Sequence, residues 1–278
     1  MTHLLIATGG SEHSNIAVQL GGQMAFQLGG EITFLTVIKH EKLRDFGEKV
    51  LFDAVAMLPT AVSSNIPTHT KLRIGHSAEQ IVAEAESTDY DLIVLGESTH
   101  HDLLSRIVGP TAKRVVEQAC CPTLIAKGHA NPIKNILLCD SGLRHPALLT
   151  RLRKQIPQLL KDTAVSITVL HVMSQISAGP GVSGQQLRAD ASKLIAEHTP
   201  EGVLLTEDLN NLSEEGIAAQ PKIRHGFVVD EIVSEMEDGG YDLVVIGSHQ
   251  NGGWQRFLLD DLANQIVIKS NRPILIIQ

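Results

Sequence analysis

The chain has 278 residues, of which 43% are hydrophobic and 19% charged, and a formal net charge of −8. That length suits two domains with full cores, and the acidic balance argues against a nucleic-acid backbone or an anionic membrane as partner. No apolar run approaches the ~20 residues that span a bilayer. The amino terminus lacks the basic region of a signal peptide, and Cys120, Cys121 and Cys139 form no disulfide framework, so a reducing cytoplasm is the expected compartment.

Leu4-Leu5-Ile6-Ala7-Thr8, closed by Gly9-Gly10, reads as a buried strand and turn. From Ser11 to Leu28, Ile16, Leu20, Met24 and Leu28 form one helical stripe, ended by Gly29-Gly30. The β-branched run 32–38 predicts a second strand. A helix follows over 41–58, stopping at Pro59. A third strand is expected over 68–74, a helix over 77–86, a fourth strand over 92–95, a helix over 111–119 and a last strand from Pro122 through Ala126. Cys120-Cys121 is read as two small buried residues entering that strand. Gly128-His129-Ala130-Asn131-Pro132 is the natural linker.

Beyond it the chain says the same thing again. Leu72-Arg73-Ile74-Gly75 recurs as Ile223-Arg224-His225-Gly226, Tyr90-Asp91-Leu92-Ile93-Val94-Leu95-Gly96 as Tyr241-Asp242-Leu243-Val244-Val245-Ile246-Gly247, and Cys121-Pro122-Thr123-Leu124-Ile125 as Arg272-Pro273-Ile274-Leu275-Ile276, all at an offset of 151. A repeat of that length is a whole domain, not a solenoid unit, with copy one over 1–128 and copy two over 133–278. In copy two, strands are expected over 136–139 and 167–172. The surplus length there, at 174–184 and 201–221, is read as surface excursions.

Alternating strand and helix imply parallel strands joined by right-handed crossovers, and continuously apolar strands imply burial on both faces. Each copy is therefore expected to be an α/β, doubly wound, five-stranded parallel sheet. Ligands of such sheets sit beyond the carboxyl ends of the strands, at the switch point. Three elements meet there in each copy: the turn after strand one (Gly10 and Ser11; Asp140), the end of strand two (Val37; Val172), and the long loop after strand four (Gly96 to Gly109-Pro110-Thr111; Gly247 to Asp260-Asp261). Glycine leaving a strand admits an anion to backbone amides, and the next helix adds free N–H groups and a positive dipole end.

Other chemistries fare poorly. There is no Gly-x4-Gly-Lys-(Ser/Thr) loop and no Gly-x-Gly-x2-Gly fingerprint, and Arg73-Ile74-Gly75-His76 lacks the first histidine of a nucleotidyl-transferase signature. Adjacent His100-His101 and His249 are read as surface-loop histidines, not metal ligands. Ser11-Glu12-His13 point in different directions on entering a helix, so Ser11 is read as its cap and not as a nucleophile.

Over its full length the chain resembles the universal stress protein family in its tandem-domain form. The resemblance is carried by Gly10-Ser11-Glu12-His13-Ser14, by the repeated Tyr-Asp-Leu strand, by Gly247-Ser248-His249 and by the two closing strands. It implies a stress-linked regulatory or binding protein and not a committed enzyme. The family's ATP-binding members carry Gly-x2-Gly-x9-Gly-(Ser/Thr) and an Asp after strand one. Copy one keeps Gly96 and Gly109, with Thr99 for the middle glycine, Pro110 and then Thr111 for the hydroxyl position, and Gly9 for the Asp. Copy two keeps Asp140 and Gly247 but has Gln250 for the middle glycine and Asp260-Asp261 for the Gly-(Ser/Thr) pair.

The resemblance thus implies an adenine nucleotide, ATP or AMP, with magnesium as its companion. It is expected in copy one, with the base near Val37 and phosphates near Gly96, Gly109 and Thr111. Asp260-Asp261 are expected to open a helix over 262–270 and fill the phosphate niche of copy two, or to join Asp140 around a divalent cation. The alternatives are a scaffold acting through protein partners and a slow ATP hydrolase. The closing strands are expected to pair with each other in an intrachain pseudo-dimer, with a homodimer of whole chains left open.

Overall fold

The computed structural model describes residues 1–97, 109–141, 146–161, 164–173, 189–248 and 256–278, with side chains in the last segment from 262 onward. Contacts divide these residues into two units, Met1–Pro132 with Asn271–Gln278, and Ile133–Ser270. The first runs β1 (His3–Ala7), α1 (Glu12–Leu28), β2 (Glu31–Ile38), a 3-10 turn (Glu41–Leu43), α2 (Arg44–Ala56), α3 (Thr60–Ser63), β3 (Thr68–Ile74), α4 (Ser77–Ser87), β4 (Leu92–Gly96), α5 (Pro110–Gln118) and β5 (Thr123–Ala126). The second runs β6 (Asn135–Cys139), α6 (Leu148–Gln155), a 3-10 turn (Pro157–Leu160), β7 (Ser166–Met173), α7 (Ala191–Ala196), α8 (Pro200–Glu214), β8 (Ala218–His225), α9 (Val228–Asp238), β9 (Leu243–Gly247) and α10 (Arg256–Lys269). The last strand, β10 (Ile274–Ile277), groups with the first unit.

In the first unit the strands lie in the order β3-β2-β1-β4-β5, all parallel, and β10 runs antiparallel to β5 with Leu275 opposite Leu124. In the second the order is β9-β6-β7-β8, again parallel. In both, the first strand of the copy lies between the second and the fourth, so the winding reverses beside it and opens a crevice at the carboxyl ends. Leu4, Leu5 and Ile6, like Leu137 and Leu138, are wholly buried, as strands covered on both faces must be. Ser11 caps α1 by accepting from the Ser14 amide at 3.3 Å, and Gly29, at φ 61°, ends it by giving its N–H back to the last turn.

The repeated motifs turn out to hold each copy together. Glu84 is 1% exposed and receives the Tyr90 hydroxyl at 2.9 Å, Arg73 Nε at 2.7 Å and Lys71 Nζ. In copy two, Glu235 receives the Tyr241 hydroxyl at 2.8 Å and Arg224 Nε at 2.6 Å. Asp91 accepts from the His3 amide at 2.7 Å, and Asp242 from the Asn135 amide at 2.9 Å, tying strand one of each copy to the turn before strand four. Removing one member of such a network would leave a buried charge without its partners.

Three expectations are corrected. The stretch 201–221 is no excursion: Pro200–Glu214 is helix α8, capped by the Thr199 hydroxyl on the Gly202 amide at 3.1 Å, with Pro200 at its first position and Leu205 and Leu212 wholly buried. The stretch 174–184 lies outside the described residues. Helix α10 begins at Arg256, so Asp260 and Asp261 are its fifth and sixth residues, beyond the free amides of the first turn. Finally, only Cys121 of the adjacent pair is buried, its thiol pushed up to about 12 by burial, while Cys120 is exposed.

Candidate functional site

At the carboxyl ends of the first unit, a cavity of about 220 Å³ is floored by Ala7, Thr8 and Gly9 after β1, Leu35 and Val37 of β2, and Leu95 and Gly96 of β4, and walled by Ser11, Ser77, Ile81, Thr111 and Ala112. Of the residues expected there, Ser11, Val37, Gly96 and Thr111 line it. Gly109 is the N-cap of α5, two residues before Thr111. Gly10, at φ +77°, makes the turn out of β1, where an added side chain would strike Val50.

A second cavity of about 290 Å³ shares Ser77 and Thr111 with the first and is lined further by Lys39, Gly75, His76, Pro110 and Arg114. Two helices start against it. Neither α4, with His76 at its N-cap, nor α5, with Gly109, has a side-chain hydrogen bond at its cap. Among the described residues, then, no cap side chain takes up their first amides, and both helices point positive dipole ends at this cavity. Arg114 meets Glu79 at 3.0 Å, and both are about half exposed, so the pair is weak and open to exchange. The carboxylate on the first cavity's wall, Glu97, is bound by Lys127 Nζ at 2.6 Å, and that lysine is itself buried.

Gly96 is required for a reason of packing. A Cβ there would collide with the His13 carbonyl oxygen, because the first turn of α1 lies directly on the end of β4. Ser11 spends its hydroxyl on the helix cap. Neither residue needs a ligand to explain it.

Among the described residues of copy two, the corresponding strand ends meet side chains and backbone of α6. Arg151 of α6 lies over Gly247, its Nη2 2.3 Å from where a Cβ would be. Asp140 is buried, and its Oδ2 accepts from the Leu148 amide at the start of α6 at 2.9 Å. Val172 is half-buried near the end of β7. The structure thus brings Ser11, Val37, Gly96 and Thr111 to one cavity, leaves Gly10 and Gly109 off its lining, and sets Asp140 and Gly247 against α6. The loop positions Thr99, His100, His101, His249 and Gln250, and the side chains of Asp260 and Asp261, lie outside the described residues. Among the described residues no three His, Cys, Asp or Glu side chains are disposed to hold a metal ion, and no helix is long and apolar enough to cross a membrane.

Sequence reasoning missed Asp208. It sits on α8, 2% exposed, and its carboxyl is raised to about 7, chiefly by burial and then by the nearby Asp140 and Glu207. The missed signal was helical: with α8 read as a loop, an acid between Leu205 and Leu212 had no inward face to occupy. Lys39 and Arg114 were missed because the cavity they line is assembled from three separate turns.

A doubly wound α/β unit, repeated in tandem, with its crevice at the strand switch point, is the class defined by this fold. The family model described as "Universal stress protein family" matches residues 1–127 and again 133–278. The chain belongs to the universal stress protein family, in tandem form.

Among solved structures it is similar to a universal stress protein from Archaeoglobus fulgidus, with a TM-score of 0.71 at 17% identity, covering 99% of this chain and 96% of that one. It is also similar to a putative universal stress protein from Pseudomonas aeruginosa, with a TM-score of 0.69 at 15% identity, covering 100% and 93%. Such likeness speaks to the fold. Among curated relatives, a universal stress protein of Methanocaldococcus jannaschii is 30% identical over 82 residues, 27% of this chain and 51% of the relative. The chain spans about half the length of the curated relatives it matches.

Proposed function

We propose that this protein is a cytoplasmic stress-response binding protein whose first copy takes an adenine nucleotide and whose second does not. The observation that carries this reading is the pair of adjoining cavities at the copy-one switch point. One, beside Leu35, Val37 and Ile81, suits a base. The other, under Lys39, Arg114 and the starts of α4 and α5, suits phosphates. Pockets that hold small ligands run to roughly 300–1,000 Å³. Each cavity alone falls short of that range, and the two together lie within it. Magnesium accompanies a triphosphate here as a companion of the ligand, since the described side chains supply no metal site.

Mass spectrometry of ligand released from freshly purified protein, followed by titration with ATP and AMP, tests the reading. Bound adenine nucleotide that is lost in a Lys39→Ala, Arg114→Ala double variant supports it. Silence toward both nucleotides rejects it. In that event the rival is a scaffold acting through protein partners, a reading favoured by the packing role of Gly96 and by Arg151 lying over Gly247. Turnover of ATP above a buffer control would favour the third reading, a slow hydrolase.

A further inference from the structure

The amino ends of β1, β2 and β3, at the pole opposite the cavities, carry ionisable side chains that copy two replaces one by one. His3 pairs with Glu31 in the strand register, and Thr33, two residues on, pairs with His69, so all four share one face of the sheet. Glu31 stands between the two imidazoles, with Oε1 3.6 Å from His3 Nδ1 and Oε2 3.7 Å from His69 Nε2. By the same register, the second unit has Asn135, Ser166, Thr168 and Gln220. None of these ionises near neutrality. They join directly instead, Ser166 Oγ donating to Asn135 Oδ1 at 2.9 Å and Gln220 Nε2 donating to Thr168 Oγ1 at 3.0 Å.

A buried relay fixes which nitrogen of His3 carries its hydrogen. Tyr90 gives its one hydroxyl proton to Glu84 at 2.9 Å. Thr33 is hydrogen-bonded to Tyr90, so Thr33 is the donor in that bond. The Thr33 oxygen is then left to accept from His3 Nε2, 2.8 Å away. Copy two has the same direction: Tyr241 donates to Glu235, Thr168 is bonded to Tyr241, and the third partner is an amide nitrogen that can only donate. His3 therefore holds its hydrogen on Nε2 and turns the Nδ1 lone pair toward the Glu31 carboxylate. Two acceptors face each other across a gap too long for a hydrogen bond.

We infer that His3, Glu31 and His69 form a proton-binding site present in copy one and missing from copy two, through which acid loosens the amino ends of β1–β3. The proton enters at His3 Nδ1 and leaves the imidazolium facing Glu31. Burial is the main opponent of that charge and holds the His3 pKa below its ordinary value. Glu31 and Asp91 favour the charged ring, while His69 and Lys71 oppose it, and Tyr90 packs against the ring at a tilt, with centroids 4.3 Å apart. A folded pKa below the unfolded value means that the folded unit binds fewer protons. Its contribution to stability is present above the unfolded pKa of 6.5 and is lost as pH falls through the folded one.

Hydrogen exchange on the full chain, read by mass spectrometry from about pH 8 to about pH 5 and corrected for intrinsic rates, tests the device in each copy separately. Protection of β1–β3 should fall on acidification, while β6–β8 should show no loss of this origin. A triple variant carrying the copy-two set, His3→Asn, Glu31→Ser and His69→Gln, should keep its β1–β3 protection across the range. Equal acid loss in wild type and variant would overturn the inference. Should the triple variant fold poorly, His3→Asn alone gives the same contrast. Independently, nitrogen NMR of the wild-type His3 ring should show Nδ1 as the unprotonated nitrogen at neutral pH, with Thr33→Val scrambling that preference. A ring found protonated at Nδ1 would also overturn it.

Discussion

The two copies share a framework and diverge at both poles of it. The framework is the repeated Arg, Glu, Tyr and Asp network, nearly superimposable in its distances. At the carboxyl pole, copy one leaves cavities where copy two lays Arg151 over Gly247 and spends Asp140 on the start of α6. At the amino pole, copy one keeps ionisable His3, Glu31 and His69, while copy two keeps neutral Asn135, Ser166 and Gln220. The two copies thus share the network that ties strands to helices and differ at both ends of their strands.

The largest expected effect comes from the strand that crosses this division. Ile274, Leu275, Ile276 and Ile277 are buried, and β10 supplies the edge of β5. Each such side chain stabilises by about 1.5–3 kcal/mol when buried, so deleting 274–278 removes as much as a domain's whole margin. Precipitation or loss of a cooperative melt is expected; a soluble deletion chain that unfolds cooperatively would show that the two units close independently.

Next comes Asp208. Its raised carboxyl pKa means that the folded second unit holds a proton the unfolded chain has released, so its contribution is complete below about pH 4 and is lost as pH rises through about 7. Asp208→Asn should therefore raise stability at pH 8 by about 2–4 kcal/mol, since each tenfold change in proton affinity is worth roughly 1.4 kcal/mol, and change little in acid. Chemical denaturation at both pH values checks the slope. An equal gain at both would remove ionisation from the account.

The paired glycines sharpen the comparison further. An Ala at 96 drives a methyl into the α1 backbone, whereas an Ala at 247 meets only the tip of the Arg151 side chain, which can swing away. Gly96→Ala should cost about 1–3 kcal/mol and Gly247→Ala well under about 1 kcal/mol, measured by urea melts of the two variants. Below Gly96→Ala comes Ser11→Ala, which removes the α1 cap at a cost of about 0.5–2 kcal/mol. It should leave nucleotide affinity nearly unchanged, because that hydroxyl is already committed. A tenfold loss of affinity without loss of stability would make Ser11 a ligand-binding group instead.

Much of this was legible from residues alone. The repeat, the strand and helix alternation and the Ser11 cap followed from period and spacing, since Leu4-Leu5-Ile6 and its counterparts have no other stable use. Gly96, Val37 and Thr111 were placed together by topology, because strand ends at a switch point must converge. What escaped was tertiary. Helix α8 begins at Thr199-Pro200, a strong start signal that the glycine and polar residues around it obscured. Its inward Asp208 was invisible without the helix. The His3 relay joins positions 3, 31, 33, 69, 84 and 90, and no local pattern links residues that only a folded sheet sets side by side.

Because β10 belongs to the first unit, that unit is not complete until residues 274–277 are made. During synthesis the β5 edge emerges early and waits, unpaired, while some 150 further residues leave the ribosome at about 5–20 residues per second. For those seconds it is an open strand edge of the kind that recruits neighbours. The four-residue length of β5 limits that exposure, and any chaperone that attends this chain should find its substrate there.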